Sequence, residues 1–215
     1  MPYTLLRVTE RGVVLWDYHL RRLALPPGSA EAEALRRFAR ETEVGVWAVT
    51  TAPGRGLRAE PRAESQLRDG MPWRLESSPA AGLPGPFPKP AAPSLYDSVR
   101  REDVATLLTS PDGSEIYEAC RSAIVAWDGE GLVCVPAARP RVWSTAEAAI
   151  REHLRCREAP IAPGAWPLLL VNAVKGTCEP GPAVRPSDPA AAGPFPSTVR
   201  AEIEALFTAL TRRSE

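Results

Sequence analysis

The chain has 215 residues, of which 44% are hydrophobic and 24% are charged, so it can bury a core and does not have the composition of a disordered protein. Lysine plus arginine and aspartate plus glutamate both number 26, so no overall charge would attract nucleic acid or an acidic membrane. Only two residues are lysines, Lys89 and Lys175, so a reaction that needs a lysine amine has two candidates.

The cysteines and the apolar runs bear on the cellular compartment. Cys120, Cys134, Cys156 and Cys178 form neither a CxxC pair nor a Cys/His cluster at zinc spacing, so we expect free thiols and no metal site. The amino terminus reaches charged residues before any long apolar run, which is not typical of a secretory signal. No apolar stretch approaches the roughly 20 residues of a membrane helix. These features predict a cytoplasmic protein.

The first third of the chain predicts a hairpin, a helix and further strands. Turn residues at 10–12 separate two apolar segments, which is typical of a hairpin. Prolines at 26–27 must interrupt any helix, and Ser29 is suited to cap the next helix, predicted at 30–42. The predicted strands are 3–8, 13–16, 44–51, 56–60 and 73–76.

Residues 79–93, PAAGLPGPFPKPAAP, concentrate proline and glycine and predict an irregular connection. We place a small N-terminal lobe at 1–84, an interdomain linker at 85–93 and a larger C-terminal lobe at 94–215. The alternative is a surface loop inside a single domain.

The second lobe also predicts both helices and strands. Ser144 and Glu147 have the spacing of a capping box, and Ser197 is suited to cap a terminal helix. The predicted helices are 95–102, 145–156 and 197 to about 212. The predicted strands are 104–109, 115–117, 122–127, 132–135 and 167–174. Helices and strands mixed in two lobes predict an α/β (α+β) fold.

The segment after the first hairpin reads His19-Leu20-Arg21-Arg22-Leu23. It resembles the HLxRL segment of the class IV aminotransferases, a family that includes D-amino acid and branched-chain aminotransferases and aminodeoxychorismate lyase. In that family the arginine reaches the phosphate of pyridoxal 5'-phosphate (PLP), and Arg22 occupies its place. A planar guanidinium matches a phosphate group. The alternative is a solvated arginine on an amphipathic helix.

Residues 88–97, PKPAAPSLYD, are similar to the HKTTRR segment and the following Tyr-Asp of the lyase-like members. In those members the lysine carries PLP as a Schiff base. Tyr96 and Asp97 match, and Lys89 lies seven residues before Tyr96, so the resemblance implies that Lys89 is the catalytic residue. Prolines replace the histidine and part of the TTRR segment, and the alternative is a linker lysine.

Residues 112–118, DGSEIYE, resemble the Asp-Gly…Glu segment of the family, whose final glutamate lies beside the pyridine nitrogen of PLP. The resemblance implies this role for Glu118. A carboxylate there keeps the ring nitrogen protonated, which strengthens the ring as an electron acceptor. Many relatives have an asparagine five residues further on, where this chain has Ala123. The alternative is a surface glutamate at a strand end.

Trp143-Ser144-Thr145-Ala146 aligns with the Gly-x-Thr-Arg segment that binds phosphate in relatives, but lacks its glycine and arginine. Free backbone N–H groups at a helix start attract anions, so Ser144 and Thr145 are candidates for cofactor binding. The alternative is that they only cap a helix.

Residues 169–176, LLVNAVKG, resemble the NSxRG segment that lines the substrate side of the cleft in the lyase-like members. The resemblance implies substrate contacts at Asn172, Ala173 and Lys175, and Arg121 is a further candidate for binding an anionic group. The alternative for Lys175 is a solvated loop residue.

Together these segments cover nearly the whole chain. They imply the two-lobed class IV aminotransferase-like fold, PLP as the cofactor, and an aminodeoxychorismate lyase-like or transaminase activity on a small amino or keto acid. They also imply a homodimer with the active site near the interface. One alternative keeps the fold without PLP, with Arg22, Arg121 and Glu118 binding an anionic metabolite or serving a cofactor-independent biosynthetic step. Another is a structural or interaction module.

Overall fold

The computed structural model of the chain describes residues 3–52, 56–64, 66–89, 95–190 and 192–211. The early elements are β1 (Tyr3–Thr9), β2 (Gly12–Val13), α1 (Trp16–Arg22), α2 (Ala30–Glu41), β3 (Gly45–Ala52), β4 (Gly56–Arg62) and β5 (Met71–Ser77). The next elements are β6 (Ala105–Thr109), β7 (Ile116–Ala119), β8 (Ala123–Trp127), β9 (Leu132–Cys134) and α3 (Thr145–His153). The last are β10 (Cys156–Glu158), β11 (Leu168–Asn172), β12 (Gly176–Cys178), β13 (Pro180–Ala183) and α4 (Ser197–Ala209). Within the described ranges no helix combines the length and the apolar character needed to cross a membrane.

The first sheet is antiparallel, with the strand order β2-β1-β3-β4. Side chains alternate between the two faces of a strand, and β1 alternates between half-buried and buried residues. Leu6 and Val8 pack with α1 and α2 in one apolar core. The opposite face of β1, which carries Tyr3 and Arg7, is half-buried. One strand therefore stabilises a core and also presents polar side chains on its other face.

Two further sheets form the larger part of the molecule, with the strand orders β10-β9-β8-β11-β12 and β13-β5-β6-β7. Alternate residues of β8 enter different cores. Val125 packs in the cluster that contains α3 and α4, and Ile124 packs in the cluster that contains residues of β5 and β6. Because both faces are covered, β8 and β9 are almost entirely buried and read as continuous apolar runs.

The pairing of β5 crosses the predicted lobe boundary. We placed the strand at 73–76 in the N-terminal lobe, before the linker at 85–93. The observed β5 instead pairs in parallel with β6 and with β13, which both follow that linker. Pairing between distant segments is not encoded in local composition, which is why the sequence did not reveal these partners of β5. The division into two lobes stays a prediction, and residues 90–94 of the linker and lobe start lie outside the described residues.

The helix predicted at 95–102 is wrong. The described residues there form a single turn, in which the N–H of Arg100 donates to the carbonyl of Tyr96 at 2.9 Å. Forming the first helical turn is unfavourable, and so short a segment adds few further hydrogen bonds to offset that cost. The strand predicted at 13–16 is also wrong, because β2 ends at Val13 and α1 begins at Trp16.

The ends of the other helices were predicted with mixed success. Ser29 caps α2 as predicted, with its side chain accepting from Ala32 N at 3.2 Å. α3 ends at His153, because the following residues turn into β10. Ser197 is the first residue of α4 and not its cap, since Pro196 holds that position. The helix ends at Ala209, and the predicted end at 212 lies outside the described residues.

We predict that Leu107→Ala destabilises the protein by about 2–5 kcal/mol, because Leu107 is fully buried in β6, between β5 and β7, and the change leaves a cavity. Leu83→Ala is the matched control, since Leu83 is 46% exposed, and it should cost about 0.5 kcal/mol or less. Urea denaturation followed by circular dichroism measures both. Equal losses in the two variants would contradict this description of the core.

Candidate cofactor and substrate site

Lys89 is held beside the first sheet by a short backbone pairing. The N–H of Phe87, two residues earlier, donates to the carbonyl of Arg141 at 2.9 Å, and the carbonyl of Phe87 accepts from Trp143 N at 2.9 Å. The Lys89 side chain is half-buried, and its Nζ lies 5.3 Å from the ring centre of Tyr3. Lys89 therefore points at the polar face of β1.

The charge of the Lys89 amine is disfavoured at its position. Burial and then the positive charge of Arg22 lower the pKa of Lys89 to about 7, and the carboxylate of Glu118 opposes part of this shift. A large fraction of the amine is therefore neutral near neutral pH. A neutral amine is the form that attacks a carbonyl or accepts a proton.

Glu118 lies on β7 and is only 5% exposed. Its Oε1 accepts two hydrogen bonds, from the hydroxyl of Tyr96 at 2.5 Å and from Val142 N at 2.9 Å. Burial raises the pKa of Glu118 to about 7, although both hydrogen bonds favour the charged form. Its Oε2 makes no hydrogen bond to the part of the chain that the structure describes. That oxygen is available to a donor on a ligand.

Arg22 is the last residue of α1 and contacts the segment before α3. Its Nη2 donates to the carbonyl of Trp143, and its Cζ lies 5.7 Å from the centre of the Trp143 ring. Burial lowers the pKa of Arg22 to about 10, so the side chain stays positively charged at neutral pH. Its Nε is buried and has no hydrogen-bond partner among the described residues. Arg22 is thus a half-buried cation whose buried Nε is an unpaired donor.

The start of α3 adds further donors beside Arg22. The side chain of Ser144 caps the helix by accepting from Glu147 N at 3.3 Å, and Thr145 is 3% exposed. Within the described residues, the N–H groups of Thr145 and Ala146 have no acceptor. Free N–H groups at the start of a helix favour a bound anion. The structure thus brings Arg22, Ser144 and Thr145 together at one helix end.

Two neighbours of Lys89 were not assigned from the sequence. His19 is fully buried, and burial together with the charge of Arg22 lowers its pKa to about 3, so the ring is neutral. Thr4 Oγ1 lies 2.7 Å from His19 Nδ1 and fixes the ring. The position of His19 three residues before Arg22 on α1 places both on one side of that helix, which is a signal that could have found it. No sequence signal pointed to Tyr3.

Two of the residues predicted to bind substrate, Asn172 and Ala173, have roles in the fold itself. Asn172 Oδ1 accepts from Val174 N at 2.9 Å and from Lys175 N at 2.7 Å, and its Nδ2 donates to Ser122 Oγ at 3.0 Å. These bonds occupy the Asn172 side chain in the turn between β11 and β12. The Ala173 side chain packs in a core, so only its backbone can face a ligand.

One basic candidate, Lys175, lies in that turn, and the other, Arg121, lies in a turn that contacts Asn172. Lys175 Nζ is 3.4 Å from Glu64 Oε2 in an ion pair, so its amine is engaged at the surface. Arg121 lies in the turn between β7 and β8, where its carbonyl accepts from Asn172 Nδ2 at 3.4 Å. Burial, and then the charge of Arg100, lower the pKa of Arg121. Arg100 also lowers the pKa of Lys89, so its positive charge acts on both Arg121 and the lysine.

One face of β1 connects Lys89 with the turn that contains Asn172. Tyr3 contacts the Lys89 amine, and Arg7 Nη1 donates to the carbonyl of Val174 at 2.9 Å. Tyr3 and Arg7 are four residues apart on the same face of β1, which corresponds to about 13 Å along an extended strand. Lys89 and the turn that contains Asn172 therefore lie along one side of the first sheet.

Comparisons with known proteins place this arrangement in a known fold. No family model matches the sequence, and no curated protein matches it. A hypothetical aminotransferase from Mycobacterium tuberculosis, in its alpha-ketoglutarate and PMP bound form, superposes with a TM-score of 0.67 at 16% identity, over 99% of this chain and 89% of that chain. The 4-amino-4-deoxychorismate lyase from Pseudomonas aeruginosa superposes with a TM-score of 0.60 at 15% identity, over 96% and 89%.

A putative branched-chain amino acid aminotransferase from Thermotoga maritima gives a TM-score of 0.65 at 13% identity, over 97% of this chain and 85% of that chain. The predicted mixed α/β, class IV aminotransferase-like fold is therefore confirmed. Since all three identities are low, the similarity establishes the fold, and the chemistry has to be argued from the residues of this chain.

We predict that Lys89→Met is more stable than the parent protein near pH 7 and that this advantage shrinks towards pH 10. The folded-state pKa of Lys89 is lowered from 10.5 to about 7, so the cost of burying its charge is fully present below pH 7. Between pH 7 and 10.5 the unfolded chain binds more protons, so parent stability rises with pH by up to about 1.4 kcal/mol per unit.

Denaturation at several pH values between 7 and 10 measures this difference. Lys175→Met, which removes the other lysine of the chain, controls for the loss of a lysine elsewhere. If the stability curves of Lys89→Met and the parent are parallel across this range, the amine of Lys89 is not held as described.

Proposed function

We propose that this protein is a PLP-dependent enzyme, a lyase or transaminase that acts on a small amino acid-type substrate. The observation that carries the proposal is the convergence of Lys89, Glu118 and Arg22 from a loop, a strand and a helix. Each of the three has a pKa shifted by burial, and strongly shifted groups gathered in one place are typical of active sites. The fold that the chain shares with aminotransferases supports the same conclusion.

The donors and acceptors of this site fit PLP group by group. The buried, unpaired Nε of Arg22 and the free N–H groups of Thr145 and Ala146 would hold the phosphate. The Oε2 of Glu118 would accept from the protonated ring nitrogen, which would in turn favour the charged form of the carboxyl. The amine of Lys89 would form the covalent attachment.

The residues of the chain would then share the work of catalysis. When bound, PLP supplies an electron sink for the pair of electrons left at the substrate Cα. Lys89 removes and returns the proton at Cα, because its amine is neutral near pH 7. Tyr96 and Val142 keep the Glu118 carboxylate oriented through their hydrogen bonds to Oε1. The partial burial of Lys89 reduces the access of water to the reacting amine.

The choice between the lyase and the transaminase reaction depends on the residues that would bind the substrate. Tyr96-Asp97 and the segment around Asn172 resemble the lyase-like members, which favours elimination of pyruvate to give 4-aminobenzoate. Arg100 and Arg121 would attract a substrate carboxylate. We further propose a cytoplasmic homodimer. An assay with 4-amino-4-deoxychorismate and a second with amino acids and 2-oxoglutarate distinguish the lyase from the transaminase.

One observation favours a second candidate function. Trp143 stands where relatives have the glycine of the phosphate-binding segment, and it lies against the Arg22 guanidinium and accepts its hydrogen bond. This contact would compete with a phosphate for Arg22. In this second case the protein has the same fold without PLP and uses Arg22, Arg121 and Glu118 for an anionic metabolite or a cofactor-independent step.

We predict that the purified protein incubated with PLP acquires a visible absorption band, and that borohydride then fixes the mass of the reduced cofactor on the peptide that contains Lys89. Lys89→Met should remain colourless, and Lys175→Met should behave like the parent. Absorption spectroscopy and peptide mass spectrometry measure these outcomes. A parent protein that stays colourless at saturating PLP would favour the second candidate, and label on Lys175 would exclude Lys89 as the attachment site.

We predict that Arg22→Gln weakens PLP binding about tenfold or more, because a charge-assisted contact to phosphate contributes roughly 1.5–3 kcal/mol. Arg21→Gln is the matched control one residue earlier, since Arg21 is exposed and pairs with Glu152 at the surface. An exposed pair of this kind contributes only about 0–1 kcal/mol. Titration with PLP, followed by absorbance, gives both affinities. Equal affinities for the two variants would remove Arg22 from the phosphate site.

A further inference from the structure

One segment of four residues, 141–144, bonds to Glu118, to Arg22 and to Phe87, which lies two residues before Lys89. The carbonyl of Arg141 accepts from Phe87 N, two residues before Lys89, at 2.9 Å. The N–H of Val142 donates to Glu118 Oε1 at 2.9 Å. The carbonyl of Trp143 accepts from Arg22. The fourth residue, Ser144, caps α3. The relative positions of the lysine, the carboxylate and the phosphate-binding donors therefore all depend on where this segment lies.

A buried ion pair anchors the segment. The Arg141 side chain is 5% exposed and the Glu147 side chain 3%, and the guanidinium donates to both carboxylate oxygens, with Nη2 to Oε1 at 2.8 Å. Arg141 Nη2 also lies 3.4 Å from the carbonyl of Val135 at the end of β9. A two-point contact between planar groups fixes direction as well as distance.

Glu147 connects this anchor to the rest of the molecule. It lies in the first turn of α3, and its Oε1 also accepts from Arg151 Nε at 2.8 Å, one turn further along the helix. Arg151 in turn pairs with Glu158 on β10 at 2.5 Å. The capping box predicted for Ser144 and Glu147 is thus only half present. The Glu147 carboxylate binds Arg141 and Arg151 instead of accepting a hydrogen bond from the backbone N–H of Ser144.

We propose that Arg141 and Glu147 are positioning residues of this site: their buried ion pair fixes segment 141–144 and thereby sets Lys89, Glu118 and Arg22 in one arrangement. The inference rests on the proposed function for its catalytic meaning, but its structural content does not depend on a cofactor. Ion pairs that are fully removed from water contribute little to net stability and are better suited to specify one geometry. The hydrogen bond from Val142 to Glu118 is the most direct readout of that geometry.

The experiment follows that hydrogen bond in the PLP-free protein. The carboxyl carbon of Glu118 and the amide proton of Val142 are monitored by NMR as a function of pH, with Glu118→Gln to assign the carbon signal. In the parent protein the amide proton shifts with the same midpoint as the carboxyl, because the bond strengthens when Glu118 ionises. The charged and titratable groups that act on or respond to Glu118 are Tyr96, Cys120, Arg22, Lys89, Arg141 and Glu147.

The test variant is Arg141→Leu combined with Glu147→Leu, which replaces both buried charges by apolar side chains and is expected to stay folded. In this variant the Val142 amide should no longer follow the titration of Glu118, and PLP affinity should fall about tenfold. Arg157→Gln, which removes the partly exposed pair between Arg157 and Asp128, is the control and should leave both readouts unchanged.

Each outcome decides for or against the inference. A folded double variant in which the Val142 amide still follows Glu118 with the parent midpoint overturns it. Should the double variant not fold, Arg141→Leu is measured in its place, because Glu147 then keeps Arg151 as a partner, and retention of the coupled titration there overturns the inference equally. If the parent binds no PLP while the coupling is lost in the variant, the proposed function fails and the positioning role is supported.

Discussion

The burial of opposite charges in one small volume is the constraint on which the proposed site depends. Lys89 and Glu118 each have a pKa of about 7, because burial makes the charged form of either group less favourable in free energy. Neither group lies in a regular core. Glu118 borders a small apolar cluster that includes Phe87, Tyr96 and Val142, and this cluster excludes water from the carboxylate. A cationic ligand group beside Glu118 would relieve that cost.

The larger apolar cores offset the free-energy cost of placing Lys89 and Glu118 away from water. The two clusters on either side of the sheet that contains β8, β9 and β11 consist of aliphatic and aromatic residues that are nearly all fully buried. Removal of apolar surface from water is the main favourable contribution to folding. The site lies at the edge of these clusters, where Arg22 at the end of α1 meets Trp143 in the segment before α3. A stable framework can therefore hold unfavourable side chains at its border.

Local signals in the sequence were sufficient for part of this structure. Ser29 and the apolar spacing behind it predicted α2 because capping and amphipathic periodicity depend only on neighbours. The start of α1 was hidden, because its cap is Leu15 in a left-handed conformation with no side-chain hydrogen bond. The place of β5 could not be predicted either, since parallel partners are joined by long connections. Family motifs identified Lys89, Arg22 and Glu118, and His19 stands in the same motif as Arg22, while Arg141 became visible only through its contacts. Asn172 also lies in a family motif, but its side-chain oxygen accepts hydrogen bonds from the backbone of its own turn.

The two faces of β1 have a consequence for how this protein can vary. Leu6 and Val8 belong to a core, while Tyr3 and Arg7 on the opposite side reach Lys89 and Val174. A strand has a period of two, so inserting or deleting one residue within it exchanges the faces completely. Such a change would bury an arginine and expose leucine, and it would remove the contacts to Lys89 and Val174 in the same event. Length changes in this strand are therefore restricted twice, once by folding and once by the proposed site, whereas the turn between β1 and β2 is free of the second restriction.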